Sequence, residues 1–391
     1  MAEIDKALPN VQETIDVSQE EIEQLPEPEV NGPSNVVTNE DGSVDINYEN
    51  EQMSEMPEDH FANLSDFMDD SALGVLGSDL TEKYQDYKAS RKDWEQAYVT
   101  GLDLLGFKYN MRSEPFQGAS GATHPVLAEA VTQFQSLAYK ELLPSNGPVR
   151  TQIIGASSPE KEQQAERVKE FMNYQLMDQM KEYEPEFDSM LFYLPLAGST
   201  FKKVYYDELL GRAVSKFVPA DELVVPYSAT SLDDAEAIIH VVKTSQNDLR
   251  KQQVSGFYRD IEIPEPGEED VNALERKERE LEGQQKTRDE NIHTLLEFHI
   301  DLDLENFEDK DLQTGEETGI KLPYIVTIEE NSREILSIRR NYDQTDPLKK
   351  KKQYFVHFKF LPGLGFYGFG LIHMIGGLSR TATAALRQLL D

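Results

Sequence analysis

Cysteine is absent from all 391 residues, which excludes disulfides, thiolate metal centres and thiol nucleophiles. No apolar run approaches the roughly 20 residues of a membrane span. The N-terminus also lacks the basic-then-apolar order of a signal peptide. Neither a membrane helix nor export by such a leader is expected. Basic residues are scarce at one end: residues 1–70 hold 20 Asp/Glu and only Lys6, more than half of a formal net charge of -35. That field repels free nucleic acid and argues against an ordinary DNA-binding surface. It remains compatible with a wall past which DNA slides without sticking.

What is present reads as an α+β chain. Residues 1–70 are expected to be largely disordered, because they cannot bury enough apolar surface to offset the entropy of ordering. A short helix around Phe61–Phe67 is the one candidate docking arm in this solvated tail. A domain is expected over 71–260. It comprises a helical run from Asp79 ended by Gly106, a tight loop at 115–125 feeding a helix over Val126–Leu143, and one or two helices over 159–192 capped by Ser158. Strands at Phe201–Tyr206, Ala213–Val218 and Glu222–Pro226 come next, then a short helix after Ser231. A strand at Ile238–Lys243 and a Ser245-capped helix complete the domain. In the 159–192 region Val168, Phe171, Met172, Tyr174, Gln175 and Met177 form an apolar face expected to fill the core. Residues 261–292 are highly charged and read as an exposed helix or linker. Residues 293–345 form a small β unit with a hairpin turn at Asn331-Ser332, and 346–391 give a strand, a glycine-rich turn and a long helix.

Few motifs bear on chemistry. Gly363, Gly365 and Gly368 match the G-x-G-x-x-G spacing of a dinucleotide loop after a strand and before a helix. Yet Phe366 and Tyr367 are bulky where such a loop needs small residues, and no second strand follows. The loop with Gly118 and Gly121 lacks the Walker lysine, and His124 has no Ser/Asp partner at triad spacing. Asp301, Asp303 and Glu305 begin like a calcium loop, but Asn306 and Leu312 stand where glycine and glutamate are required. No catalytic, cofactor or metal residues are therefore assigned. Lys349, Lys350, Lys351 and Lys352 are four consecutive lysines in an acidic protein, suited to salt-sensitive phosphate contact. The final helix has a slim side made of Gly376, Gly377, Ser379, Ala382, Ala384 and Ala385, which permits close helix–helix approach. It carries no stop signal, so the sequence is expected to be a fragment cut within a helix.

Four long blocks carry a family likeness: KDWEQAYVTGLDLLGFKYNMRSEPFQGASGATHPVLAEAVTQFQSLAYKELLP (Lys92–Pro144), YLPLAGSTFKKVYYDE (Tyr193–Glu208), FVPADELVVPYSATSLDDA (Phe217–Ala235) and FKFLPGLGFYGFGLIHMIGGLSRTATAALRQLLD (Phe358–Asp391). Together they resemble the portal, or head-to-tail connector, proteins of tailed bacteriophages, most nearly the short-tailed type. The likeness covers about 90–391. It implies a portal fold of wing, stem and clip, with a predominantly helical wing and stem and small β units. It also implies a ring of about twelve copies at one capsid vertex of the virion, assembled in the host cytoplasm. The resemblance makes 71–260 the wing, 293–345 the clip and the last helix the stem, with the crown beyond residue 391. It implies no enzymatic activity and no cofactor. The implied partners are the terminase large subunit, tail adaptor or head-completion proteins, the major capsid and scaffold proteins, and translocating double-stranded DNA held non-specifically. Lys349–Lys352, Arg380 and Arg387 become channel candidates, and the slim helix side becomes an inter-subunit contact. The competing readings are a nucleotide- or dinucleotide-binding enzyme using the glycine loops, and an acidic assembly scaffold.

Overall fold

The computed structural model describes residues 36–38, 44–46, 59–107, 116–207, 210–265, 272–284, 292–310 and 317–391. The chain divides into two compact units, 1–54 and 55–391. In the first, β1 (Val36–Thr38) pairs antiparallel with β2 (Val44–Ile46), a hairpin where the sequence showed no period. The rest of the expected disorder over 1–58 lies outside the described residues.

In the second unit the ordered chain begins before residue 70. A 3-10 turn at Leu64–Phe67 buries Leu64 completely, and the Asn63 side chain accepts from Ile338 N at 2.9 Å and donates to Leu336 O. The candidate docking arm therefore docks on its own chain. Helix α1 (Asp70–Ser90), capped by Asp69, starts nine residues before the expected Asp79. It breaks at Arg91, and α2 (Lys92–Leu102) follows. Gly106 ends the run with φ 74°, a left-handed position that glycine takes without strain. Helix α3 (Val126–Leu142) follows the loop as expected. Next come α4 (Pro159–Tyr174), a π turn over Gln175–Gln179, and α5 (Tyr183–Ala197).

Two antiparallel sheets follow. Strands β3 (Ser199–Asp207) and β4 (Arg212–Pro219) form a hairpin. Strands β5 (Leu223–Val224) and β6 (Ala237–Ser245) open the second sheet. Between them the short helix expected after Ser231 is absent: Thr230 N and Ser231 N both donate to the Asp234 carboxylate, closing a turn instead. Helix α6 (Gln246–Val254) is capped by Ser245, as read. Helix α7 (Ala273–Glu282), strands β7 (Ile292–Leu302), β8 (Leu322–Glu329), β9 (Ile335–Arg340) and β10 (Phe355–Lys359), and helix α8 (Leu371–Leu390) complete the order.

The sheet orders are β10-β3-β4 and β5-β6-β7-β8-β9. The β units are thus larger than expected, and β6 pairs with β7 across the charged 261–292 segment. That segment does not separate two sheets. Nor is its helix wholly exposed: Leu274 of α7 is fully buried, and Leu281 packs with it against Tyr98, Leu102 and Ile372. One face of the five-stranded sheet packs on α1 through Leu73, Leu80 and Tyr84. A second core around Phe201, Leu223, Phe355 and Phe366 joins the two sheets.

Helix α4 overturns an expectation. It has no buried residue, and Val168, Phe171, Met172 and Tyr174 are all exposed. The apolar face exists, but no part of the described chain covers it. Polar contacts tether it: Asn173 Oδ1 accepts from Val149 N at 2.9 Å, and Thr151 donates to Ala165 O.

Candidate functional site

The strand–glycine–helix joint is built by the protein's own backbone. Leu361 and Phe369 form an isolated antiparallel bridge that closes the loop between β10 and α8. Gly198, at the end of α5 with φ 91°, lies so close that a Cβ there would stand 2.4 Å from Gly370 N. A Cβ on Gly368 would stand 2.5 Å from Gly198 O, and one on Gly363 would stand 2.1 Å from Tyr367 O. Close backbone approach is the reason for these glycines, and what approaches is another peptide rather than a pyrophosphate. Phe366 turns inward onto Phe201 and His357. Tyr367 stacks on Trp94 at 4.4 Å between centroids and hydrogen-bonds Arg91. The Ser199 hydroxyl accepts from Gly368 N at 2.7 Å. At Gly363 and Gly368 the spacing that imitates a cofactor fingerprint is a packing device, whereas a Cβ on Gly365 would meet nothing.

Helix α8, launched from this joint, crosses α2, α3 and α5. Its slim side divides. Gly376 and Ser379 face the chain's own helices, a Gly376 Cβ standing 3.3 Å from Leu104 and Ser379 being fully buried. Ala382 is half-buried, whereas Gly377, Ala384 and Ala385 are exposed. Met374, Leu378, Leu389 and Leu390 are exposed beside them. Only part of the expected contact surface is therefore free.

The basic candidates separate likewise. Lys349 pairs with Asp309, Lys351 donates to Ala235 O at 3.2 Å, and Lys352 approaches Asp343 at 4.0 Å. Arg387 donates to Ala122 O at 2.7 Å and to Thr123 Oγ1. Lys350 and Arg380 are exposed, with no side-chain hydrogen bond or ion pair among the described residues. His124, the residue without a triad partner, donates through its backbone N to Thr383 Oγ1 on α8. An open groove of about 520 Å³ between α3 and α5 is lined by Gln135, Ser136, Tyr139, Glu184, Pro185 and Asp188. Tyr139 donates there to Glu184, and Gln135 donates to Asp188, so these groups satisfy each other.

A buried polar network joins the two sheets and was missed in the sequence. Lys203 on β3 donates to both carboxylate oxygens of Glu297 on β7 at 2.6 Å, and His299 lies 2.7 Å from the same carboxylate. Burial alone would raise the Glu297 pKa, but Lys203, His299 and His240 more than offset it and hold it well below the carboxylate range. Burial, reinforced by Lys203, lowers His240 to about 3, and burial lowers His357 on β10 likewise. These folded-state pKa values lie below the unfolded ones. The unfolded chain therefore binds more protons in acid, and stability should fall as pH drops from about 6.5 for the histidines and from about 4.5 for Glu297. Replacing Lys203 by Met should cost about 3 kcal/mol, because it leaves a buried carboxylate with His299 as its main partner. Urea unfolding at pH 7 measures this, and a cost below about 0.5 kcal/mol would contradict it.

Among the described residues no helix is long and apolar enough to cross a membrane. No family model matches the sequence, and no curated protein matches it.

Proposed function

We propose that the chain is a subunit of a phage portal ring, a structural DNA conduit rather than an enzyme. The reading rests on the four blocks of sequence resemblance. The observation that carries it furthest is a pair of helices with uncovered apolar faces. Helix α4 has no buried residue and turns Val168, Phe171 and Met172 to solvent, and α8 does the same with Met374 and Leu378. Large exposed apolar patches mark interaction sites. Two different patches on one subunit suit a head-to-tail contact between copies, and such contacts close into a ring when the rotation allows.

In this reading α1–α6 and β3–β6 build the wing, β7–β9 the clip, and α8 the stem. Wing and clip then share one sheet, which makes their relative position rigid. Lys350 and Arg380 are the candidates for passing contact with DNA phosphate, salt-sensitive and without sequence preference. The acidic remainder keeps the duplex mobile. The ring would occupy one capsid vertex, taking the terminase during packaging and tail adaptor proteins afterwards.

Mass photometry over a concentration series tests the reading. A discrete species of about twelve copies is expected, and a monomer at every concentration would overturn it. Phe171→Asp should reduce the assembled fraction severalfold while changing subunit stability by less than about 0.5 kcal/mol, as for other exposed positions.

A further inference from the structure

An unpaired strand edge invites another chain to pair with it, and 55–391 blunts its own edges with side chains. On β9 the edge is filled by Asn63, which accepts from Ile338 N and donates to Leu336 O. On β5 the outward carbonyl of Leu223 is taken by Arg91 and Tyr367. On β4 the outward amide of Phe217 donates to the Glu186 carboxylate at 2.7 Å.

Strand β10, at the edge of its sheet, has no such cover. Val204 N donates to Tyr354 O and Phe360 N to Gly198 O, so the even-numbered residues of β10 aim their backbone groups at β3. Phe355, His357 and Lys359 aim theirs at the outer edge. Phe355 N reaches only the Gln353 side-chain oxygen, at 3.5 Å. The backbone N–H and C=O of His357 and Lys359 have no hydrogen-bond partner among the described residues. The next outward carbonyl shows that a peptide can pair along this line: Leu361 O accepts from Phe369 N at 2.8 Å.

The side chains beside this ledge define what fits it. Val356, opposite Lys202 on β3, is 48% exposed, and on the same sheet face Val204 and Tyr206 are 45% and 65% exposed. An added strand therefore meets apolar surface with every second residue. Lys359 points to the opposite face, where the intervening residues would lie. Cations stand at both ends of the ledge, Lys352 just before β10 and Lys359 at its end. Among the described residues the only carboxylate within 4.0 Å of either ammonium is Asp343, beside Lys352. A second copy of β10 running antiparallel would set Lys352 against Lys359, a like-charge pairing that costs stability. An acidic strand gains at both ends instead.

We infer that the outer edge of β10 is a docking site for an extended partner peptide in which apolar and acidic residues alternate, added as a fourth strand to the β10-β3-β4 sheet. Main-chain bonds to His357 and Lys359 hold the peptide. Its apolar side chains lie on the Val356 face, and Lys352 and Lys359 select its charge. The acidic residues stand opposite His357 and Lys359, so their nitrogens are the ones that face β10. This docking does not require copies to assemble into a ring.

Fluorescence anisotropy of the full chain with a labelled peptide of about eight residues, alternating valine and glutamate, tests the site. Saturable binding is expected. Methylation of the glutamate nitrogens should abolish it, and methylation of the valine nitrogens should not. Lys359→Glu and Val356→Asp should each weaken it about tenfold or more. In the parent protein, hydrogen exchange of the His357 amide should slow about tenfold or more when the peptide is added, a readout that needs no variant. Absence of saturable binding would overturn the proposal, as would equal effects of the two methylations or undiminished binding in both variants. A His357 amide already protected in the free chain would do the same, because a second copy or another segment of this chain would then hold the edge.

Discussion

Alanine at position 91 should lower the unfolding free energy by about 3–5 kcal/mol. Arg91 sits at the break between α1 and α2 and is only 6% exposed. Its Nε donates to Glu95 at 2.8 Å, one terminal nitrogen to the carbonyls of Ala220 and Leu223, and the other to Asp221 O. The first nitrogen also reaches the Tyr367 hydroxyl at 3.2 Å. One planar guanidinium thus ties the α1–α2 corner to the β4–β5 turn and to the glycine joint before α8. Removing it strands several buried acceptors and the Glu95 carboxylate, each costly to leave unpaired. Arg91→Lys should recover little, because an ammonium lacks the fork that spans these acceptors. Urea denaturation checks both variants, and an alanine effect under about 1 kcal/mol would contradict the role.

Leucine at position 384 should abolish ring assembly and leave the folded subunit nearly unchanged. Ala384 is exposed on α8, beside the also exposed Ala385. Because Ala384 is exposed, added bulk there should spare the fold, but it would hold a neighbouring helix away from the slim face. Ser379→Leu is the contrasting variant. Ser379 is fully buried against the chain's own helices, so leucine there should destabilise the subunit by about 1–3 kcal/mol through overpacking. Thermal melts and mass photometry of the two variants separate folding from assembly. An Ala384→Leu protein that assembles as well as the parent would remove the slim face from the account.

Local structure was legible where local chemistry decides it. The caps at Ser158 and Ser245, the glycine end at Gly106, and the β8–β9 hairpin follow from residues adjacent in sequence. Long-range pairing was not legible. Strand β10 adds to the edge of β3, with Phe355 opposite Lys203, and no local pattern announces a partner so far along the chain. The charged segment misled because Leu274 and Leu281 are few, although they are the two that turn inward. The α4 stripe misled in the opposite sense, since periodicity shows that a face is apolar and not what covers it.

The buried charges did leave a signal. Arg91 falls at helical spacing with Trp94 and Tyr98, and Lys203 shares a strand face with Phe201. Glu297 stands among Leu295, Leu296 and Phe298 in an otherwise apolar run. A lone charge on a core face is a candidate buried pair, and the three positions could have been singled out on that ground. The division of the final helix into a self-packed and an exposed part could not, because it depends on where α2, α3 and α5 lie.

The central claim is that this chain closes on copies of itself around a channel. Electron-microscopy class averages of the purified protein test it most directly. The account predicts end-on views of a ring of about twelve subunits with a central opening, lost in Ala384→Leu. Averages that show only isolated subunits, or compact assemblies without an opening, would contradict it.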